Sequence, residues 1–213
     1  MGLYSRFVFP HIMERLSAGP RVDEQRRLAL APACGEVLEL GFGTGHNFPH
    51  YPKTVTHVTA VDCQLMMPAK VKRRIDNASV SITPMYRDAS KGLPFADGSF
   101  DTVVTTWTLC SIRDVIPALT EIGRVLKRSG HYLFLEHGRS DNPRIAMRQR
   151  LLSPVVHMIG AGCQMDRPID ALMDQVGLRI RTLDRFVMPE APRVLGEMYR
   201  GTATAGIHQK ERR

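Results

Sequence analysis

Short apolar runs rich in β-branched residues recur at wide intervals along the chain: Val37-Leu38-Glu39-Leu40, Val58-Thr59-Ala60-Val61, Val80-Ser81-Ile82 onward, Thr102-Val103-Val104 and Tyr132-Leu133-Phe134-Leu135. Helix-like segments lie between them. Adjacent parallel strands need a crossover of a dozen or more residues, usually a helix. The alternation therefore predicts repeated βαβ units and a mostly parallel sheet of buried strands with helices on both faces. Leu178 to Val187 and Glu197 to Ala205 are two further strand candidates, which brings the sheet to seven strands. The length of 213 residues and a hydrophobic content of 43% suit one compact domain with a normal core.

The clearest helix spans about Arg113 to Lys127, where Val115, Ala118, Leu119, Ile122, Val125 and Leu126 recur at three- and four-residue spacing. Lys127-Arg128-Ser129-Gly130 reads as its end, with cations and a C-terminal glycine. After the fifth strand come a basic stretch from Pro143 to Arg150, an apolar stretch around Val155 to Ile159, and a helix from Asp170 to Val176 ended by Gly177. The chain divides into an N-terminal helical cap or lid (1–30), a core (31–137) and an acceptor-side region with the last strands (138–213).

Directly after the first strand stands Glu39-Leu40-Gly41-Phe42-Gly43-Thr44-Gly45. Glycine lets a backbone turn this tightly and come this close to a ligand. The dinucleotide fingerprint G-x-G-x-x-G fails here, because His46 stands where its last glycine belongs. A ligand without a phosphate fits better. S-adenosylmethionine (SAM) needs an acceptor for its amino group, a carboxylate for its ribose and a polar partner for its adenine. Open α/β sheets bind ligands at strand C-termini, and candidates stand there in succession. Glu39 or nearby backbone carbonyls face the amino end, Asp62 takes the ribose hydroxyls as a bidentate acceptor, and Asp88, with the Ala89 amide beside it, takes the adenine amine. Each acid alone could equally be a helix cap or turn residue. Three at consecutive strand ends, one beside a glycine turn, point to SAM, with S-adenosylhomocysteine as product.

Glu39 to Gly45, Leu93-Pro94-Phe95-Ala96-Asp97-Gly98-Ser99-Phe100-Asp101 and Glu121-Ile122-Gly123-Arg124-Val125-Leu126-Lys127-Arg128-Ser129-Gly130 resemble the motifs of class I SAM-dependent methyltransferases. The resemblance runs from about Glu36 to Glu136 and implies a single Rossmann-like domain. Ser129 departs from the glycine that the family often carries in this turn. A narrower resemblance lies in Leu109-Cys110-Ser111-Ile112, in Phe134-Leu135-Glu136-His137, and in Pro154-Val155-Val156-His157 followed by Gly162-Cys163 and Arg167. These stretches are similar to the methyltransferase-like seven group and imply S-methylation of a small lipophilic thiol. The hydrophobic N-terminal anchor of that group is shortened or missing in this sequence.

A positioned acceptor must lose a proton if it is not already ionised. His137, just past the fifth strand, and His157 are the candidate bases. Thr106 and Trp107 are expected against the cofactor, and Leu109 and His46 along the acceptor pocket. Cys110 reads as a small buried thiol, since transfer from SAM needs no covalent enzyme intermediate. No metal site is expected, because the four cysteines and the histidines show no ligand spacing. The same cysteine usage fits a reducing, cytoplasmic setting.

Lys+Arg 29 against Asp+Glu 21 gives a net charge of +8, which attracts nucleic acid, anionic lipid or acidic small molecules alike. Much of it lies in Lys70 to Arg74, Arg144 to Arg150 and Lys210 to Arg213, which read as solvated helix faces and a frayed end. Nucleic-acid methylation is disfavoured: Thr106-Trp107-Thr108-Leu109 stands where base methylases carry Asn/Asp-Pro-Pro-aromatic, and no basic stripe is interleaved with aromatics. No tyrosine has a lysine four residues on, which argues against a short-chain oxidoreductase. Methylation of a quinone precursor or a phospholipid amine is the alternative within the class. A non-catalytic SAM-binding protein is the alternative outside it. No apolar run reaches the roughly 18 residues of a membrane span. The segment Leu3 to Met13 carries Tyr, Phe, Ile and Met on one helical face, for core packing, a lid or peripheral membrane contact. Nothing in the sequence specifies an oligomeric state.

Overall fold

A computed structural model describes residues 9–160, 162–189 and 191–206. Its centre is a seven-stranded sheet in the order β3-β2-β1-β4-β5-β7-β6, built from β1 (Gly35–Leu40), β2 (Val55–Asp62), β3 (Ser81–Tyr86), β4 (Phe100–Thr106), β5 (Leu126–His137), β6 (Leu178–Val187) and β7 (Glu197–Ala205). β1 to β5 are mutually parallel, and β7 runs antiparallel between β5 and β6. Strand order reverses between β1 and β4, which opens the crevice where such sheets bind ligands. The helices are α1 (Phe9–Leu16), α2 (Pro20–Leu30), α3 (Pro68–Asp76), α4 (Val115–Val125), α5 (Pro143–Ile159), α6 (Ile169–Gln175) and α7 (Arg193–Gly196). Leu3 to Val8 and the tail Lys210 to Arg213 lie outside the described residues. Among the described residues, no helix is long and apolar enough to cross a membrane.

The helix expected from Arg113 to Lys127 is α4, and Val115, Ala118, Leu119, Ile122 and Val125 are its buried stripe. Its end differs from the expectation. The chain passes from Val125 into β5 at Leu126, so Lys127-Arg128-Ser129-Gly130 belongs to the strand rather than to a helix cap. Lys127 pairs with Asp101 at 2.8 Å. A side chain at Gly130 would lie 2.9 Å from the Asp101 carbonyl, so the glycine serves close approach between β4 and β5. The other two methyltransferase-like motifs meet through α4. Arg124 donates to the Phe95 and Leu93 carbonyls at 2.7 and 3.1 Å, and Glu121 accepts from the Leu93 amide at 2.7 Å.

Helix α5 reverses the usual pattern. Asn142 caps it by accepting from the Arg144 amide at 3.0 Å, and Pro143 pre-sets the first turn. Its buried residues are Gln149 and Ser153, whereas Met147, Leu151, Val155 and Met158 are exposed. Gln149 explains the inward polarity: it accepts from the Ser140 amide at 2.8 Å and donates to the Gly138 and Met165 carbonyls at 3.1 and 3.2 Å. It ties the segment after β5 to the loop before α6.

Candidate active site

At the end of β1 the glycine turn has Gly41, Gly43 and Gly45 all at positive φ. A Cβ on Gly41 would lie 2.2 Å from Thr108 Oγ1, so the turn also needs glycine for its contact with the segment after β4. The Gly41 amide donates to the Val61 carbonyl at 2.7 Å, and the Gly43 amide donates to Asp62 Oδ2 at 2.8 Å. Asp62 Oδ1 accepts from the Gln64 amide at 2.9 Å. The carboxylate at the end of β2 is thus held from both sides. Burial raises its pKa, and these amides oppose the rise.

Asp88 stands after β3 and caps a short 3-10 turn that begins at Ala89. Its Oδ1 accepts from the Ser90 hydroxyl at 2.6 Å and the Ser90 amide at 3.0 Å, and the Ser90 hydroxyl lowers its pKa. Among the described residues, Oδ2 faces Lys91 at 3.7 Å. The cap and ligand readings of this acid are therefore compatible, because the two oxygens divide the work.

Glu39 is engaged within the protein. Its carboxylate is buried, with Oε1 accepting from Asn47 Nδ2 at 2.9 Å and Oε2 from the Tyr51 hydroxyl at 2.7 Å. Burial pushes its pKa up to about 7. These bonds hold it against Asn47 and Tyr51, beneath the glycine turn. Arg26 of α2 joins this network by donating to Asn47 Oδ1 at 2.7 Å and to the Thr106 hydroxyl at 3.3 Å. Its guanidinium carbon stands 4.6 Å from the centre of the Trp107 ring, a cation–π stack. Burial lowers its pKa to about 10, and its Nε is buried without a partner. Trp107 has φ of 51°, strained for a non-glycine residue, at the point where β4 opens onto the crevice. Arg26, Asn47 and Tyr51 carry no motif of their own in the sequence. Only the folded chain brings them to Glu39 and Thr106.

The expected acceptor residues separate. Leu109 is fully buried in the main core, so it packs rather than lines a pocket. His46 is taken up by the first helix: its Nε2 lies 3.0 Å from Glu14, which also meets the Thr44 hydroxyl at 2.7 Å, Lys70 at 3.0 Å and Arg74 at 2.9 Å. Burial and Arg74 depress the His46 pKa to about 4. Burial works against the Glu14 charge, but the bonds from Arg74, Thr44 and Lys70 outweigh it and hold that carboxyl at about 2. α1 is thereby latched over the glycine turn. His157 is exposed on α5, and its Nδ1 lies 3.1 Å from the Gly162 carbonyl, a loop-closing role.

His137 is the last residue of β5 and meets two thiols. Its Nδ1 stands 3.8 Å from Cys163 Sγ, and the ligand atoms of Cys110, His137 and Cys163 all lie within 4.8 Å of one another. The cysteines and histidines show no ligand spacing along the chain, yet three distant segments bring two thiols and an imidazole together here. Cys110 shares its proton with Cys163, which raises the pKa of Cys110 and lowers that of Cys163. Burial disfavours a charged His137 ring, but Cys110 and Glu136 outweigh it and raise its pKa. The neighbouring Glu136 is buried, with Oε2 accepting from the Thr108 and Leu109 amides at 2.9 and 3.1 Å. Burial pushes its pKa up to about 7, and among the described residues its Oε1 has no hydrogen-bond partner.

The turn, the doubly anchored Asp62 and the half-open Asp88 fit the three polar ends of SAM, and no phosphate-sized anion site is needed. The family model described as a methyltransferase domain matches residues 38–134. The thiol S-methyltransferase TMT1B of Rattus norvegicus is 30% identical over 211 residues, covering 89% of this chain and 84% of the relative. The chain belongs to the class I SAM-dependent methyltransferases. A phosphatidylethanolamine N-methyltransferase of Cereibacter sphaeroides is 27% identical over 127 residues, covering 59% of this methyltransferase and 62% of that relative. The fold of this methyltransferase is also that of Burkholderia thailandensis 1,6-didemethyltoxoflavin-N1-methyltransferase, solved with S-adenosylhomocysteine, at TM-score 0.70, 16% identity and coverage of 96% and 87%. SAM is the cofactor of this methyltransferase.

Proposed function

We propose that this methyltransferase transfers the methyl group of SAM to the sulfur of a small lipophilic thiol. The observation that carries the reading is the reach of the similarity to the rat thiol S-methyltransferase. It extends over 89% of the chain, well beyond the matched methyltransferase domain at residues 38–134.

Bound SAM supplies a methyl group on a positively charged sulfur. Asp62 and Asp88 hold its ribose and adenine, and the glycine turn brings backbone against its amino-acid end. The Glu39–Asn47–Arg26 network fixes Thr106 and Trp107 at the crevice. Glu136 holds the Thr108 and Leu109 amides, which sets the floor on the acceptor side. A thiol is a stronger acid than an alcohol and its thiolate is a strong nucleophile, so the chemistry asks of the protein only that one proton be taken up. His137 is the ring placed to accept that proton, because His157 is engaged in its own loop.

The test is incubation of the purified protein with labelled SAM and a panel of small alkyl thiols, phenols, amines and lipid headgroups. Labelled thioether from thiols is the expected product. Turnover confined to a phenolic quinone precursor or an ethanolamine lipid would replace this reading with the alternative that the Cereibacter relative suggests. SAM binding without turnover on any acceptor of the panel would leave the methyltransferase class standing and remove these thiols as substrates.

A further inference from the structure

We propose that Cys110, His137 and Cys163 form a three-ligand zinc site whose fourth position takes the acceptor thiolate. The metal site stands on the geometry of this chain. The identity of its fourth ligand rests on the thiol reading above.

The three residues come from separate elements: the turn after β4, the end of β5 and the loop between α5 and α6. Their ligand atoms lie within 4.8 Å of one another, and Cys163 Sγ is 3.8 Å from His137 Nδ1. A tetrahedral zinc, with Zn–S of about 2.3 Å and Zn–N of about 2.0–2.1 Å, sets its ligand atoms about 3.5–3.8 Å apart. One pair is already at that spacing, and the others need only small side-chain rotations.

The backbone beneath the cluster is cross-linked. The Gln164 amide donates to the Cys110 carbonyl at 2.7 Å, the Cys163 amide donates to the Gly160 carbonyl at 3.1 Å, and Arg167 donates to the Leu109 carbonyl. These bonds fix the loop carrying Cys163 against the turn carrying Cys110. A third feature is Glu136, a fully buried carboxylate that precedes His137 in β5 and holds the Thr108 and Leu109 amides beside Cys110.

Two thiolates and one imidazole favour zinc among the abundant divalent metals. Three protein ligands with an open position are the pattern of a reactive site, whereas four close a structural one. Cys110 is buried, but His137 and Cys163 are partly exposed, so the open position is reached from their side. With zinc bound, His137 is a ligand and the metal takes over its part in generating the thiolate: an incoming thiol would lose its proton to solvent and bind as thiolate. Its sulfur then forms the S–C bond as the C–S bond of SAM breaks, and neutral thioether and S-adenosylhomocysteine depart.

The experiment titrates the full chain, freed of metal by a chelator and kept reduced with a phosphine, with Co²⁺. The expected result is thiolate-to-cobalt absorption in the near ultraviolet and tetrahedral bands in the visible, displaced by Zn²⁺ and shifted by ethanethiol. Cys163→Ser and His137→Gln should weaken Co²⁺ binding by about 10-fold or more, whereas Asp62→Ala should leave it unchanged. Zn²⁺ should also protect Cys110 and Cys163 from alkylation, a readout that needs no variant. Absence of thiolate bands, an unchanged spectrum in Cys163→Ser, or isolation of the protein with a Cys110–Cys163 disulfide that excludes Co²⁺ would each overturn the site. Bands that ethanethiol does not move, or undiminished thiol methylation by the metal-free protein, would overturn the open position while leaving thiol methylation intact. Cobalt bands that ethanethiol shifts, in a protein that methylates no thiol, would sink the acceptor reading and leave the metal site standing.

Discussion

The two sides of the crevice are built differently. On the cofactor side, at the ends of β1 to β3, the polar groups are backbone amides and carboxylates at strand termini, each within a few residues of its strand. On the side where we propose the acceptor, after β4 and β5, the polar groups are Cys110, Glu136, His137 and Cys163, joined across long stretches of chain and held by a loop that depends on Gln149 and Arg167. A side built from strand ends inherits its geometry from the sheet. A side built from loops has to be assembled by the tertiary fold, and it is the side free to vary with the substrate.

The comparison breaks most easily at the glycine turn, where both sides touch. Gly41→Ala puts a Cβ 2.2 Å from Thr108 Oγ1 at a φ of 77°. It should cost about 2–5 kcal/mol of stability, combining strain and overpacking, and lose SAM binding with it; denaturant unfolding and calorimetry would check both. Asp62→Ala acts on the cofactor side alone. It should weaken SAM binding by about 1–3 kcal/mol with the fold and the thiol KM unmoved, and unchanged SAM affinity in a folded protein would remove Asp62 from the site. His137→Gln is the mirror experiment: SAM affinity should stay within about twofold while thiol turnover falls about tenfold or more. Equal damage to SAM binding would erase the distinction between the sides.

The smallest effect concerns the latch of α1. The folded His46 pKa of about 4 lies below its ordinary value of 6.5, so protonation favours the unlatched form, and stability declines as pH falls from about 6.5 toward 4. Glu14, at about 2 against 4.5, contributes stability that is present above pH 4.5 and lost as pH falls toward 2. Acid should therefore release α1 before it unfolds the sheet, by up to about 1 kcal/mol for a partly solvated ion pair. Hydrogen exchange of α1 amides against pH would show it, and Glu14→Gln should remove the lower part of the dependence.

Most of the sheet was legible because parallel strands buried on both faces leave a continuous apolar run with β-branched residues, and Leu178 to Val187 and Glu197 to Ala205 are strands at those residues. The end of α4 was misread because Lys127 and Gly130 carry cap-like chemistry but serve contacts with Asp101 on a neighbouring strand. Helix α5 has a polar inner face that periodicity alone cannot anticipate, since Gln149 satisfies backbone groups of two other segments. His46 and Leu109 were misplaced for a related reason: which neighbour covers a side chain is decided by an element far along the chain.

By itself the sequence determined the α/β class, the glycine turn and the acids at successive strand ends, because each is a local pattern repeated with the period of its element. Only the tertiary structure decided that Glu39 turns to Asn47 and Tyr51, that Glu14 latches α1, and that two cysteines and a histidine converge beyond β4 and β5. Those contacts join residues whose spacing along the chain carries no signal, and they exist only because burial of the sheet brings their segments together.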